Sequence, residues 1–177
     1  GDPEELPAAP RCRGHDCGMT RVAEQAVAAL REAGALLTPG LTAEELGSLE
    51  QQLGIEFCAD HAEFLGLAVP LGEGWIDWRG PPEPIAQHLR QPVDGLLFDV
   101  MNNDFWPASW GGRATDPRIA EKEALEQLGR WPLLVPLYGH RYLPPRPIAS
   151  PAPVLSVVQS DVIYYGFDLL EWVQREF

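Results

Sequence analysis

LLVPLYGHRYLPPRPIASPAPVLSVVQSDVIYYGFDLLEWV, residues 133–173, carries four short apolar runs and then a change of period. Leu133–Tyr138, His140–Leu143, Val154–Gln159 and Val162–Tyr165 are β-branched or aromatic in character, and each is bounded by Gly, Pro or Ser-Asp. Side chains of this kind suit the pleated, half-buried surface of a sheet, and the runs have the length of strands. Gly139 between the first two runs, and Ser160 with Asp161 between the last two, supply the turn chemistry of antiparallel hairpins. From Phe167 the spacing becomes helical: Leu169, Val173 and Phe177 share one face, flanked by Leu170 and Trp172.

Upstream the pattern is helical. Val22, Ala26, Leu30 and Ala33 recur at helical spacing before Gly34. Thr42 and Glu45 form a capping box that opens a second helix along Leu46, Leu49 and Leu53, closed by Gly54. A third starts near Asp60 and buries Phe64, Leu65 and Ala68 before Pro70 ends it. The middle predicts a strand from Trp75 to Trp78 between turns, a short helix from Pro84 to Arg90, and an apolar segment from Leu96 to Trp110 packed beneath the sheet. Asp116 then caps a helix with Pro117 at its first position, running through Ala120, Ala124 and Leu128. Helices first, strands second and a closing helix predict an α+β fold: N-terminal helices packed with a mixed, largely antiparallel sheet and a C-terminal helix. Residues 1–18 are set apart as a flexible leader before Met19, and residues 19–177 are expected to form a single domain.

Composition narrows the function. With 45% hydrophobic residues and six Trp, the chain has the material for one core. Lys plus Arg number 13 against 26 Asp plus Glu, a formal charge of −13 that repels nucleic acid and anionic lipid and attracts a basic protein. No apolar run approaches the roughly 18 to 20 residues that cross a bilayer, and the start lacks a secretory layout, so a cytoplasmic protein is expected. Three cysteines, Cys12, Cys17 and Cys58, do not make a disulfide framework and suit a reducing compartment. Cys12, His15, Cys17, Cys58 and His61 are spaced too loosely for structural zinc, and neither a metal nor a cofactor is expected.

Chemistry needs converging groups, and the sequence offers few. There is no GxSxG elbow, HExxH pair, phosphate-binding Gly loop or kinase signature, so no catalytic centre is expected. His140 and Arg141, with Ser160 or Asp161 as orienting groups, are the nearest to one. The alternative is structural: His140, Arg141, Asp161, Tyr164 and Tyr165 fix the hairpins. Asp99 and Asp104 around Asn102 and Asn103 lack the alternation, central Gly and terminal Glu of a calcium loop and read as caps or turns. Trp131 and Trp172 flank sheet and helix patterns and read as core. Trp75, Trp78, Trp106 and Trp110 lie in Gly- and Pro-rich segments. Either these loops fold back and bury their indoles, or they present binding hot spots with Asp77, Asp99 and Asp104 as an acidic rim.

"LTAEELGSLEQQLGIEF" with "ADHAEFL", then "GWIDWRG", then "LVPLYGHRYLPP" with "PVLSVVQSDVIYYGFDLLEWV", in that order over about residues 37–177, resemble the SUKH superfamily of Smi/Knr-like domains. The resemblance implies an α+β fold of helices around a mixed sheet and a protein-binding role. In bacteria that role is an immunity protein neutralising a toxin, often a nuclease; in fungi it is a scaffold in cell-wall signalling. The expected partner is a basic protein such as a toxin domain. The alternative is a small-molecule or peptide sensor using the Trp-rich cleft.

Overall fold

The computed structural model describes residues 19–177, and Cys12, His15 and Cys17 lie outside them. Along the chain run α1 (Met19–Glu32), β1 (Leu36–Pro39), α2 (Ala43–Leu53), α3 (Ala59–Leu67), β2 (Ala68–Leu71), α4 (Pro82–Asn102), α5 (Pro117–Leu128), β3 (Val135–Tyr138), β4 (Arg141–Leu143), β5 (Val154–Val158), β6 (Asp161–Gly166) and α6 (Leu169–Glu176). A 3-10 turn, Ala108–Trp110, interrupts the loop between α4 and α5. The fold is α+β, and every described strand pairing is antiparallel: β1 with β2, and a second sheet in the order β3-β4-β5-β6.

Local chemistry sets several boundaries where the sequence places them. The Thr42 hydroxyl accepts from the Glu45 N–H, the Glu45 carboxylate accepts from the Thr42 N–H, and Gly54 ends α2 in the left-handed region at φ 66°. Asp116 accepts from the Arg118 N–H with Pro117 at the first position of α5. Asp168 caps α6 through the Glu171 N–H.

Neighbouring residues of β4 reach opposite layers. Arg141 points to α6, where its Nε donates to Glu176, whereas the Tyr142 hydroxyl reaches α4. One face of the sheet is therefore covered by α6, with α1 and α3 behind it, and the other by α4 with α5 against it. The main core gathers Ala26 and Leu30 of α1, Phe64 and Leu65 of α3, Val135 and Val154 of the sheet, and Leu169 and Trp172 of α6.

Four expectations are corrected. Trp75–Trp78 is no strand; it touches the sheet through one bridge, Trp75 to Tyr138. The third helix stops at Leu67, and Ala68 and Pro70 belong to β2, which pairs with the unforeseen β1. The helix expected from Pro84 to Arg90 extends to Asn102, so Leu96–Asn102 is its end rather than a separate packed segment. It continues through Pro92, which cannot donate to the carbonyl of His88 four residues back. The Tyr142 hydroxyl lies 3.3 Å from that carbonyl and 3.1 Å from the Gln91 side-chain oxygen, so a strand supplies the partner that the proline removed. Finally, Trp131 is exposed at 49% and is not a core residue.

Gly95 explains how α4 meets the hairpin. A Cβ there would stand 3.0 Å from Gln159 Cα, so any other residue would push the β5–β6 turn back by a few tenths of an ångström. One turn further on, the buried Asp99 accepts the Ser160 N–H at 2.9 Å and thereby locks the turn to the helix.

Candidate functional site

The residues singled out as a binding cleft do not converge. Trp78 is buried, with its ring edge-on to Phe57 and His61 at 5.2 and 5.9 Å. Trp75 is half-buried, stacked on Phe177 at 5.8 Å and edge-on to Tyr138 and Trp172. Trp106 and Trp110 form a separate cluster with Trp131: Trp106 meets Trp110 at 5.2 Å, and Trp110 meets Trp131 at 6.0 Å. The Trp106 indole N–H is already given to the Gly111 carbonyl, and Arg113 lies over its ring.

The acidic rim fails for a related reason. Asp99 is buried, and hydrogen bonds from Ser160 and then Asn103 hold its carboxyl below the usual range, so it is a lock and not a rim. Asp77 is exposed and accepts the Arg79 N–H in its own turn, while Asp104 pairs with Arg113 at 3.2 Å. Asp77 lines a small pocket with Trp75, whereas Asp104 pairs with the Arg113 that lies over Trp106, so the two carboxylates belong to different clusters.

His140, Arg141, Asp161, Tyr164 and Tyr165 differ sharply in environment. Arg141 is buried: its Nε donates to Glu176 at 2.8 Å, an NH1 proton goes to the Ser156 hydroxyl at 3.0 Å, and its guanidinium lies 3.7 Å from the centre of the Tyr165 ring. Every donor direction with a partner is used structurally, tying β4, β5, β6 and α6 together. His140 is exposed, and partial burial and then Arg141 hold its pKa below the ordinary value. Asp161 opens β6, and Tyr164 stands 70% exposed.

Reactive groups elsewhere among the described residues are also occupied or isolated. Burial pushes the Cys58 thiol up to about 11, so it is a poor nucleophile. Asp60 accepts from the Ser150 hydroxyl and the Ala152 N–H, yet neither ring nitrogen of the adjacent His61 has a partner, so Ser150, Asp60 and His61 form no relay. No three His, Cys, Asp or Glu side chains come together among the described residues.

What the structure does assemble is an apolar groove of about 540 Å³ between α4, α5 and the β5–β6 hairpin. Pro92, Val93 and Leu96 of α4 form one wall, Leu125 and Leu128 of α5 with Trp131 and Leu133 of the following link form another, and Val157 with Val162 form the floor. No charged side chain lines it. Compared with family models, curated proteins and solved structures, the chain matches none. The groove leaves large apolar side chains in solvent: Leu125, Trp131 and Val162 in its lining, with Tyr164 on the same face of β6, while the exposed Val158 and Ile163 point to the opposite face of the hairpin. An apolar groove with exposed Leu125, Trp131 and Val162 in its lining has the character of a contact site. No helix is long and apolar enough to cross a membrane among the described residues.

Reading the residues alone missed this site because its members look like core. Two signals were present. Leu125 and Ile119 fall off the face of α5 that buries Ala120, Ala124 and Leu128, and Val162-Ile163-Tyr164-Tyr165 is apolar on both faces of a strand.

Proposed function

We propose that this protein acts by holding another polypeptide, and that the partner's apolar side chains enter the groove between α4, α5 and the β5–β6 hairpin. The observation that carries this reading is the groove itself: apolar throughout, rimmed by half-exposed Leu125, Trp131 and Val162, and free of charged lining. The partner is basic. A net charge of −13 speeds its encounter, and the exposed Asp94 and Asp161 follow or precede the lining residues Val93 and Val162 in the chain. The resemblance to the SUKH superfamily supports the same class of role, an immunity protein or a scaffold without a catalytic centre of its own, working in the cytoplasm.

A sensor for an apolar small molecule is the second reading, favoured by a volume within the range of roughly 300 to 1,000 Å³ that such pockets span. It ranks second because a small ligand needs convergent polar groups to orient it, and this lining provides almost none.

Selection from a random peptide library tests the proposal. Wild-type protein should enrich sequences that combine Lys or Arg with aliphatic side chains, and the double variant Leu125→Lys, Val162→Lys should not retain them. Both positions are about half exposed, so lysine there leaves the fold intact. Peptides that bind wild type and the double variant equally would rule the groove out.

A further inference from the structure

Resting on that polypeptide-binding reading, we infer that the partner segment is captured as an additional strand on β6, with every second side chain directed over the groove. Among the described residues the sheet order β3-β4-β5-β6 leaves β6 with one unpaired side, and an unpaired strand edge is a row of free N–H and C=O groups. Beyond its pairing with β5, no backbone-to-backbone hydrogen bond among the described residues reaches Val162, Ile163 or Tyr164, and the next carbonyl, that of Tyr165, is taken by Arg175.

The other strand edges are blunted. β3 contains Pro136, which has no N–H, and its end is bridged by Trp75 to Tyr138 and by the Gly139 N–H to the Gly74 carbonyl. β1 and β2 carry Pro39 and Pro70. Of the described edge strands, β6 alone has neither a proline nor a lysine or arginine, and its single charge is Asp161 at the start. The same strand leaves Val162, Ile163 and Tyr164 exposed at 49%, 50% and 70%.

Edge and groove are continuous. Val162 is the partner of Val157 across the hairpin, both line the groove, and Tyr164 shares their face by alternation. A strand laid about 4.8 Å beyond β6 therefore places alternate side chains beside Val162, toward Leu125 and Trp131. The occupant is a basic, extended segment and not a second copy of this chain, because a second copy would bring another −13 charges to the same edge.

The probe is a blocked heptapeptide alternating lysine and valine, compared with the same peptide N-methylated at every residue, so that neither of its edges can donate or pack into a ladder. The unmodified peptide should bind wild type, slow hydrogen exchange in residues 161–166, and bind about tenfold or more tighter than its N-methylated form, the effect of losing two or three backbone bonds. Equal binding of the two peptides, both lost in the Leu125→Lys, Val162→Lys variant, would overturn strand pairing while leaving the groove in place. Binding of the unmodified peptide that the double variant retains, or no binding by wild type, would overturn both readings. A wild-type dimer in sedimentation that Ile163→Lys dissociates would show the edge taken by a second copy and would likewise overturn the inference.

Discussion

Acidification should destabilise this protein through His61. The imidazole is fully buried between Phe57 and Trp78, neither ring nitrogen has a hydrogen-bond partner, and burial lowers its pKa from 6.5 to about 3. Folded protein therefore keeps the ring neutral while the unfolded chain takes up a proton near the ordinary value. Stability is whole above pH 6.5 and declines as the pH falls from there toward 3. At about 1.4 kcal/mol per pH unit, the step from 6.5 to 4.5 removes about 3 kcal/mol, a large part of the 5 to 15 kcal/mol typical of a domain. His61→Leu removes the titration and two unsatisfied nitrogens, at the expense of edge contacts to two rings. The variant should be about 1 to 2 kcal/mol more stable at pH 7. Urea unfolding of both proteins at pH 7 and 4.5 measures this, and the difference between them isolates His61 from the carboxylates. A variant that loses stability on acidification as steeply as wild type, and is weaker at pH 7, would refute the reasoning.

Other perturbations have equally definite outcomes. Tyr142→Phe leaves the His88 carbonyl, freed by Pro92, without its partner and should lower urea stability by about 1 to 2 kcal/mol. Glu176→Gln leaves Arg141 buried with its ion pair broken, so about 3 kcal/mol or more should be lost in the same assay, with peptide binding retained by the protein that remains folded. Gly95→Ala gains helix propensity of about 1 kcal/mol yet forces the Gln159 backbone away, so the melting temperature should fall and exchange in residues 157–162 should quicken.

How much of this was readable depends on whether a residue's fate is decided nearby. Thr42 with Glu45, Asp116 with Pro117, and the turn at Ser160 act within four residues, and each lies where the pattern puts it. The helix expected to end at Arg90 runs on through Pro92, because the compensating hydroxyl comes from Tyr142, fifty residues away. β1 escapes notice because its four residues have no alternation and owe their strand to β2, thirty residues on. The tryptophans divide on the same ground. Local Gly and Pro made Trp78 look like a loop residue, but Phe57 and His61 close over it, while Trp131 beside an apolar run emerges at the groove. Asp99 looked like a rim carboxylate until Ser160 supplied its donor. The groove joins residues from Pro92 to Val162, a span that no periodicity within one element can report.

The most direct test of polypeptide capture at this groove places the photo-crosslinking residue benzoylphenylalanine, in separate proteins, at Trp131, at Tyr164 and at Glu44 on the acidic α2, and exposes each to ultraviolet light inside cells that make the protein naturally. The account predicts one cross-linked product common to positions 131 and 164, mapping to a basic extended segment of its partner, and none from position 44. A product from position 44 with none from 131 or 164 would place the contact on the acidic helices and contradict it.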